Sequence, residues 1–263
     1  MKLKIATWNI NSIRLRENLV LEFLTRESPD VLCLQECKSP VEFIPTEGFR
    51  SIGYPLMLAR GQKGYNGVVI LSRLPIEPVE HRNFCGKGDA RHVAGRLSNG
   101  ITIHNVYVPS GGDVPDPKVN DKFAHKLQFL DEMQEWFESR PPVKSILVGD
   151  LNIAPLEDDV WSHRALLKVV SHTPIEVERL ESVQNAGNWS DITRLHNPSG
   201  KLYSWWSYRA RDWSASDRGR RLDHIWATEE LAGCSLSSSI QRQVRGWEKP
   251  SDHVPVVATF EIN

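Results

Sequence analysis

Apolar residues along the chain gather in short runs parted by turn-forming residues, the pattern of a protein built mainly from strands. Leu3 to Trp8 alternates enough to predict a strand. Val31 to Leu34, Gly67 to Leu71 and Ser145 to Val148 are largely apolar runs with the length of buried strands, although length alone does not separate them from helix. Val93–Leu97 and Ile101–Val108 flank Ser98-Asn99-Gly100, and Asn-Gly tolerates the positive φ of a tight turn, so the pair predicts a hairpin. Leu222–Ala227 and Val254–Ile262 complete the predicted strands.

Two segments carry helical spacing instead. Leu15 to Thr25 places Leu15, Leu19 and Phe23 on one face with Leu24 beside it. Lys118 to Glu138 does the same with Val119, Phe123, Leu127, Leu130, Trp136 and Phe137. Pro115 and Pro117 precede that helix, where a missing amide donor costs little, and Pro141-Pro142 ends it. Strands outnumber helices and do not alternate strictly with them. The expectation is one α/β domain over residues 1–263, sheet packed on sheet with helices outside, rather than a Rossmann fold.

Composition changes this picture little. A chain of 263 residues can bury roughly three quarters of the surface its unfolded form exposes, so its core needs no staples. Apolar residues make up 40% and charged residues 25%, ordinary values for a globular protein. The four cysteines (Cys33, Cys37, Cys85, Cys234) show neither CxxC pairing nor zinc spacing, and are read as reduced thiols. No apolar stretch approaches the ~20 residues of a membrane span, and the N-terminus lacks a signal-peptide core. A cytoplasmic protein with no membrane partner is expected.

Charge is informative only locally. The formal net charge is -1, so any nucleic-acid partner must be met by charge gathered on one face. Lys201 to Arg221 holds six basic residues (Lys201, Arg209, Arg211, Arg218, Arg220, Arg221) against Asp212 and Asp217, with Trp205, Trp206, Tyr208 and Trp213 interleaved. Cations for phosphates alternating with rings for sugars or bases suit a nucleic-acid groove. The competing reading is a solvated loop with buried aromatics, which is the one favoured for Trp206. Gly61 to Gly67 lacks the Gly-Lys-Ser/Thr ending of a phosphate-binding loop, and is either a DNA-facing loop or a plain connection. Asp89 to His92 is equally open.

The candidate chemistry sits at strand ends, where side chains stand on rigid supports. Asn9 follows the first strand and Glu36 the second; Tyr107 closes Ile101–Val106; Asp150 and Asn152 follow Ile146-Leu147-Val148-Gly149; Asp223 and Asp252-His253 lie near the last two strands. Phosphate-ester hydrolysis can demand on the order of 20 kcal/mol of barrier reduction, and one well-placed donor supplies about 3–4 kcal/mol. Only a constellation suffices.

Thr7-Trp8-Asn9-Ile10-Asn11, Leu34-Gln35-Glu36, Gly149-Asp150-Leu151-Asn152-Ile153-Ala154-Pro155, Tyr203-Ser204-Trp205-Trp206, Arg221-Leu222-Asp223-His224 and Ser251-Asp252-His253 occur in the order found in exonuclease III and its abasic (AP) endonuclease relatives. The chain resembles that family from residue 7 to residue 253. The wider superfamily, which includes deoxyribonuclease I and inositol-polyphosphate phosphatases, shares the Asn, Glu, Asp-x-Asn and Asp-His elements. The resemblance implies a four-layer α/β sandwich of two packed mixed sheets flanked by helices, with the site at one edge. It implies that Glu36, helped by Asn9, holds Mg²⁺ or Mn²⁺, hard cations that prefer oxygen ligands, with Asp252 as a second carboxylate. Asp150 would orient or deprotonate the attacking water, held by Asn152; His253, oriented by Asp223, and Tyr107 would contact the phosphate. Trp205 and Leu222 would line a pocket for the base-free sugar.

Two positions depart from the pattern. Arg220 stands where some relatives carry a bulky pocket residue, implying a looser fit, and Ser110 stands where Asn or Gln is common at a phosphate contact. The implied activity is metal-dependent incision of double-stranded DNA 5′ of abasic sites, with 3′ to 5′ exonuclease and 3′-phosphatase action on blocked ends, by a monomer. Extruding a base-free sugar costs less than flipping a paired nucleotide, which favours damaged DNA. The alternatives are a sister enzyme that mainly trims 3′ ends, a phosphodiesterase for another ester, and a catalytically silent DNA-binding relative.

Overall fold

The computed structural model describes residues 1–262. Two six-stranded sheets form its body. The first runs β13 (Ser235–Ile240), β14 (Val256–Glu261), β1 (Lys2–Asn9), β2 (Val31–Gln35), β4 (Val68–Ser72), β3 (Leu56–Arg60). The second runs β5 (Ile76–Val79), β6 (His92–Leu97), β7 (Thr102–Tyr107), β8 (Ser145–Asp150), β12 (Asp223–Thr228), β9 (Trp189–Asp191). Both sheets are mixed: β1 and β2 run parallel, as do β7 and β8, and their other pairings are antiparallel. A two-stranded ribbon, β10 (Trp205–Trp206) and β11 (Gly219–Arg220), stands apart.

Alternation along the central strands builds the layers. Leu3, Ile5, Val31, Cys33 and Ile70 of the first sheet meet Ile103, Ile146, Val148 and Ile225 of the second in one buried cluster. The opposite faces are apolar too. Ala6, Trp8, Leu32 and Leu34 pack under helix α1 (Glu17–Glu27) through Leu19, Val20 and Phe23. Val106, Leu147 and Trp226 pack under α2 (Asp121–Ser139) and α3 (Pro174–Ala186). Helix, sheet, sheet, helix: strands covered on both faces must be apolar on both, which explains the continuous runs in the sequence. Among the described residues no helix is long and apolar enough to cross a membrane.

The predicted hairpin forms between β6 and β7, with Gly100 at φ +85° and its N–H on Leu97 O at 2.9 Å. Both predicted helices form but start later. Leu15 and Val119 lie outside them and are exposed. The second begins at Asp121 because Asp116 ties Lys118, Val119 and Asn120 into a turn and Asn120 then caps Lys122 N–H. Helix α3 and strands β3, β5, β9 and β13 escape the sequence reading; β13, Ser-Leu-Ser-Ser-Ser-Ile, is an edge strand with little apolar signal.

Parallel pairing of β1 with β2 and of β7 with β8 sends their C-terminal ends to one edge of the sandwich. Antiparallel β12 and β14 begin at that same edge. Asn105 clamps the sheets there from inside, donating to Leu34 O (3.0 Å) and Val69 O (2.9 Å) and accepting from Gln35 Nε2 (2.7 Å).

Candidate active site

At that edge Asp150 ends β8 directly opposite Asp223, the first residue of β12. Gly149 makes the close β7–β8 approach possible: at φ +147° an added Cβ would fall 1.8 Å from Val106 O. Asp150 is buried and richly held. Asn9 Nδ2 donates to Asp150 Oδ2 at 2.9 Å, Asn152 Nδ2 to the same oxygen at 3.1 Å, and Asn152 N–H to Oδ1 at 2.9 Å. Asn152 adopts φ +55° and Glu36 φ +50°, left-handed backbone at two site residues. Such conformations persist where surroundings enforce them.

His253 precedes β14 and is fixed at both ends. Its backbone carbonyl accepts from Trp8 Nε1 at 3.0 Å, and its Nδ1 lies 2.8 Å from Asp223 Oδ2. Nε2 lies 3.7 Å from Asp150 Oδ2. Ser204 completes the arrangement: its hydroxyl donates to Asp223 Oδ2 at 2.6 Å and accepts the N–H groups of Leu222 and Asp223. Its place in the Tyr-Ser-Trp-Trp motif was visible in the sequence, but its hold on Asp223 was not.

The electrostatics follow from burial and neighbours. Burial raises the Asp150 carboxyl above the usual range, with Asp223 and Glu36 adding to the effect and His253 and Asn9 opposing it. Burial disfavours the His253 imidazolium, but Asp223, Asp150 and Asp252 outweigh it and hold the ring well above its ordinary value. Burial likewise works against ionised Glu36 and is overcome by Lys38, Tyr107 and His253, so Glu36 stays low. The site therefore carries a proton on His253 between Asp223 and Asp150.

Glu36 accepts a short hydrogen bond from Tyr107 Oη, and the Tyr107 ring lies under Arg91, 4.8 Å from ring centre to guanidinium carbon. Arg91 Nη1 also donates to Tyr107 O, which gives the open segment Asp89–His92 a supporting role. The loop Gly61 to Gly67 backs the Glu36 turn, with Cys37 N–H on Gly67 O and Lys38 N–H on Asn66 O. Tyr107 thus meets Glu36 directly.

Two oxygen-rich sets could hold a cation. Asp150, Asp223 and His253 offer donor atoms within 4.8 Å of one another, though the His253 nitrogen nearest Asp223 is already hydrogen-bonded. The other set already cradles a positive charge: Lys38 Nζ lies 2.9 Å from Glu36 Oε2 and 2.6 Å from Asn11 Oδ1, and Asn11 Nδ2 donates to Asp252 Oδ1 at 3.1 Å. Glu36, Asn11 and Asp252 carry oxygens of the type a hard divalent ion takes. Asn9, expected beside Glu36, instead turns its amide to Asp150 while its oxygen accepts from Asn11 N–H. Asn11, two residues further along, is the amide that reaches Lys38 and Asp252.

A cavity of about 600 Å³ opens over these groups, and Glu36, Asn152, Asp252 and His253 all reach it. Trp205, Leu222, Arg220 and Ser110 line it as well, so the predicted substrate residues share the cavity with the predicted chemistry. Trp205 Nε1 donates to Asp252 Oδ2 at 3.0 Å. Trp161 and Arg218, stacked at 4.8 Å, are further wall residues. Arg220 is held in place: Nη1 donates to Val170 O at 2.9 Å and Ser171 Oγ at 2.7 Å, and the guanidinium lies over the Trp205 ring.

The basic segment is less free than its composition promised. Arg221 is fully buried and spent on Asp159 and Asp191. Lys201 caps the carbonyls of Glu157 and Val160. Arg209, Arg218 and Arg220 are the members that reach the cavity. Trp206 is buried, as expected.

Residues 6–253 match the endonuclease/exonuclease/phosphatase family. The chain belongs to that family. It is 28% identical to exodeoxyribonuclease III of Haemophilus influenzae over 98% of this chain and the whole of that protein. Among solved structures, an AP endonuclease from Archaeoglobus fulgidus superposes with a TM-score of 0.90 at 32% identity, covering 99% of this chain and 100% of that one. A 3′ phosphatase from Neisseria, bound to product DNA hairpin, superposes at 0.89 with 29% identity, covering the same shares. The protein is a phosphodiester-hydrolysing enzyme with the two-sheet sandwich of this family, whose chemistry depends on a divalent cation.

Proposed function

We propose that this enzyme is a DNA-repair nuclease that incises the backbone 5′ of abasic sites and also clears 3′ ends, as exonuclease and 3′-phosphatase. The observation that carries the reading is the meeting of Glu36 and His253, from distant parts of the chain, on one cavity walled by Trp205 and Leu222, with Asp150 Oδ2 buried 3.7 Å from His253 Nε2.

Each group has a role in water attack on phosphorus. Asp150, pinned by two amides, orients the attacking water and accepts its proton. His253 presents Nε2–H to a phosphoryl oxygen, its ring turned by Asp223 through Nδ1, as in the base–orienter pairs of other hydrolases. Asn152 holds Asp150, and Tyr107 fixes Glu36 and faces the phosphate. Glu36, with Asn11 and Asp252, would hold Mg²⁺ or Mn²⁺, which supplies charge compensation for the phosphoryl oxygens and the departing 3′-oxygen. Arg209 and Arg218 offer charge to flanking phosphates. A base-free sugar is the least costly unit to extrude against Trp205 and Leu222. The enzyme is read as a cytoplasmic monomer.

The test is cleavage of a duplex carrying one tetrahydrofuran lesion. With Mg²⁺ the strand is cut 5′ of the lesion to leave a 3′-hydroxyl; with EDTA, or with Asp150→Asn, the rate falls about 100-fold or more, the low end of general-base effects. An EDTA-insensitive rate would remove the cation, and a fully active Asp150→Asn would remove Asp150.

A further inference from the structure

We propose that Arg220 sets substrate choice at this site, favouring 3′ ends that carry an anionic group over internal, neutral base-free sugars. The inference rests on the nuclease reading above and concerns the balance of its activities.

Register places Arg220 where it can do this. Arg220 lies opposite Trp205 in the β10–β11 ribbon, and Trp205 forms a bridge to His253. Neighbouring strands stand about 5 Å apart, so the Arg220 backbone is roughly 10 Å from that of His253, and its side chain extends along the wall of the shared cavity. A group attached to the phosphate at His253 is within its reach.

The guanidinium there is fixed, charged and uncompensated. Val170 O and Ser171 Oγ hold Nη1, Trp205 covers one face, and Nε is buried with no acceptor. Burial lowers the Arg220 pKa, with Glu176 acting the other way, yet an arginine remains protonated near neutrality. Glu176 itself is taken by Lys126, Ser171 N–H and Thr173. An anionic ligand in the cavity would supply the countercharge that no salt bridge gives this guanidinium among the described residues. A bare deoxyribose has no charge with which to do so.

A terminal phosphate monoester has a second ionisation near pH 6, so at neutral pH it carries close to one charge more than a backbone diester. In its hydrolysis water attacks phosphorus, the P–O3′ bond breaks, and the 3′-oxygen takes up a proton. The products are a 3′-hydroxyl and inorganic phosphate. Arg220 would stabilise the added charge of such an end throughout.

The experiment compares kcat/KM in Mg²⁺ on two duplexes, one nicked with a 3′-phosphate and one with an internal tetrahydrofuran, for the full chain and for Arg220→Leu and Arg220→Lys. The wild-type protein is expected to prefer the 3′-phosphate. In Arg220→Leu the ratio of the two values falls at least tenfold, and Arg220→Lys, which keeps the charge but not the fork, lies between. Both rates come from one sample, so a partly unfolded preparation scales them together and leaves the ratio intact. A ratio unchanged within twofold in Arg220→Leu overturns the inference, as does a wild-type protein that incises the lesion faster than it removes phosphate. Wild-type protein without Mg²⁺-dependent cleavage of either duplex overturns the nuclease reading itself.

Discussion

The ammonium of Lys126 on α2 donates to the carboxylate of Glu176 on α3 in an ion pair fully closed to solvent. Lys126 also donates to Asn152 O at 2.8 Å, and Glu176 accepts from Ser171 N–H at 2.9 Å. One buried pair therefore braces the Asn152 turn against the segment that holds Arg220. Breaking such a pair from one side strands the other charge, at about 3–5 kcal/mol. Lys126→Met is expected to lower unfolding stability by that order in urea. The double variant Lys126→Met/Glu176→Leu should lose less than the two single changes added together. A single variant as stable as wild type would show that the brace contributes nothing.

Asp223 is the strongest influence keeping the His253 ring protonated. Asp223→Asn lowers the His253 pKa and loosens the ring. Since the imidazolium is the donor, activity at high pH depends on that proton, and the alkaline limb of the kcat profile should move to lower pH. The rate at neutral pH should drop about 100-fold or more, the scale of a lost acid–base contribution. Ser204→Ala removes a bond to the same oxygen and should shift the limb in the same direction by less. A profile superimposable on wild type would contradict the pairing.

His92 and His104 stack inside the second sheet's outer layer, with ring nitrogens 3.2 Å apart and Trp136 against both. Burial chiefly, with Arg96, pushes His104 down to about 4, and burial with His104 pushes His92 well down. An unfolded chain then binds more protons below the ordinary histidine range. Stability is full above about pH 6.5 and is lost progressively as pH falls towards about 4. The urea midpoint should fall over that window, and His104→Gln should flatten the fall; an equal slope in the variant would dismiss the pair as its source.

Gly149→Ala would drive a methyl group onto Val106 O in the parallel β7–β8 pairing. Backbone cannot yield there without moving Asp150. The variant is expected to be destabilised by more than about 4 kcal/mol, the range reserved for specific structural faults, or to accumulate as insoluble protein. A soluble variant with wild-type melting temperature and activity would show that the strands part more easily than the close contact allows.

Local pattern carried much of this protein. The apolar runs that became β2, β4 and β8 were legible because strands covered on both faces must be apolar throughout, β1 because its residues alternate, and the β6–β7 turn because Asn-Gly suits its backbone. The site's inventory, Glu36, Tyr107, Asp150, Asn152, Asp223 and His253, stood at strand ends in the sequence itself. Which partner each group met was decided only by the register of sheets that join distant segments, as Trp8 and His253, 245 residues apart, show. Asn9 and Asn11 differ by two positions, yet one serves Asp150 and the other Asp252. Arg220 and Arg221 are adjacent and identical in chemistry; one faces the substrate cavity while the other is buried between Asp159 and Asp191. A charge acts through its burial and its neighbours, and neither is a property of the few residues beside it in the chain.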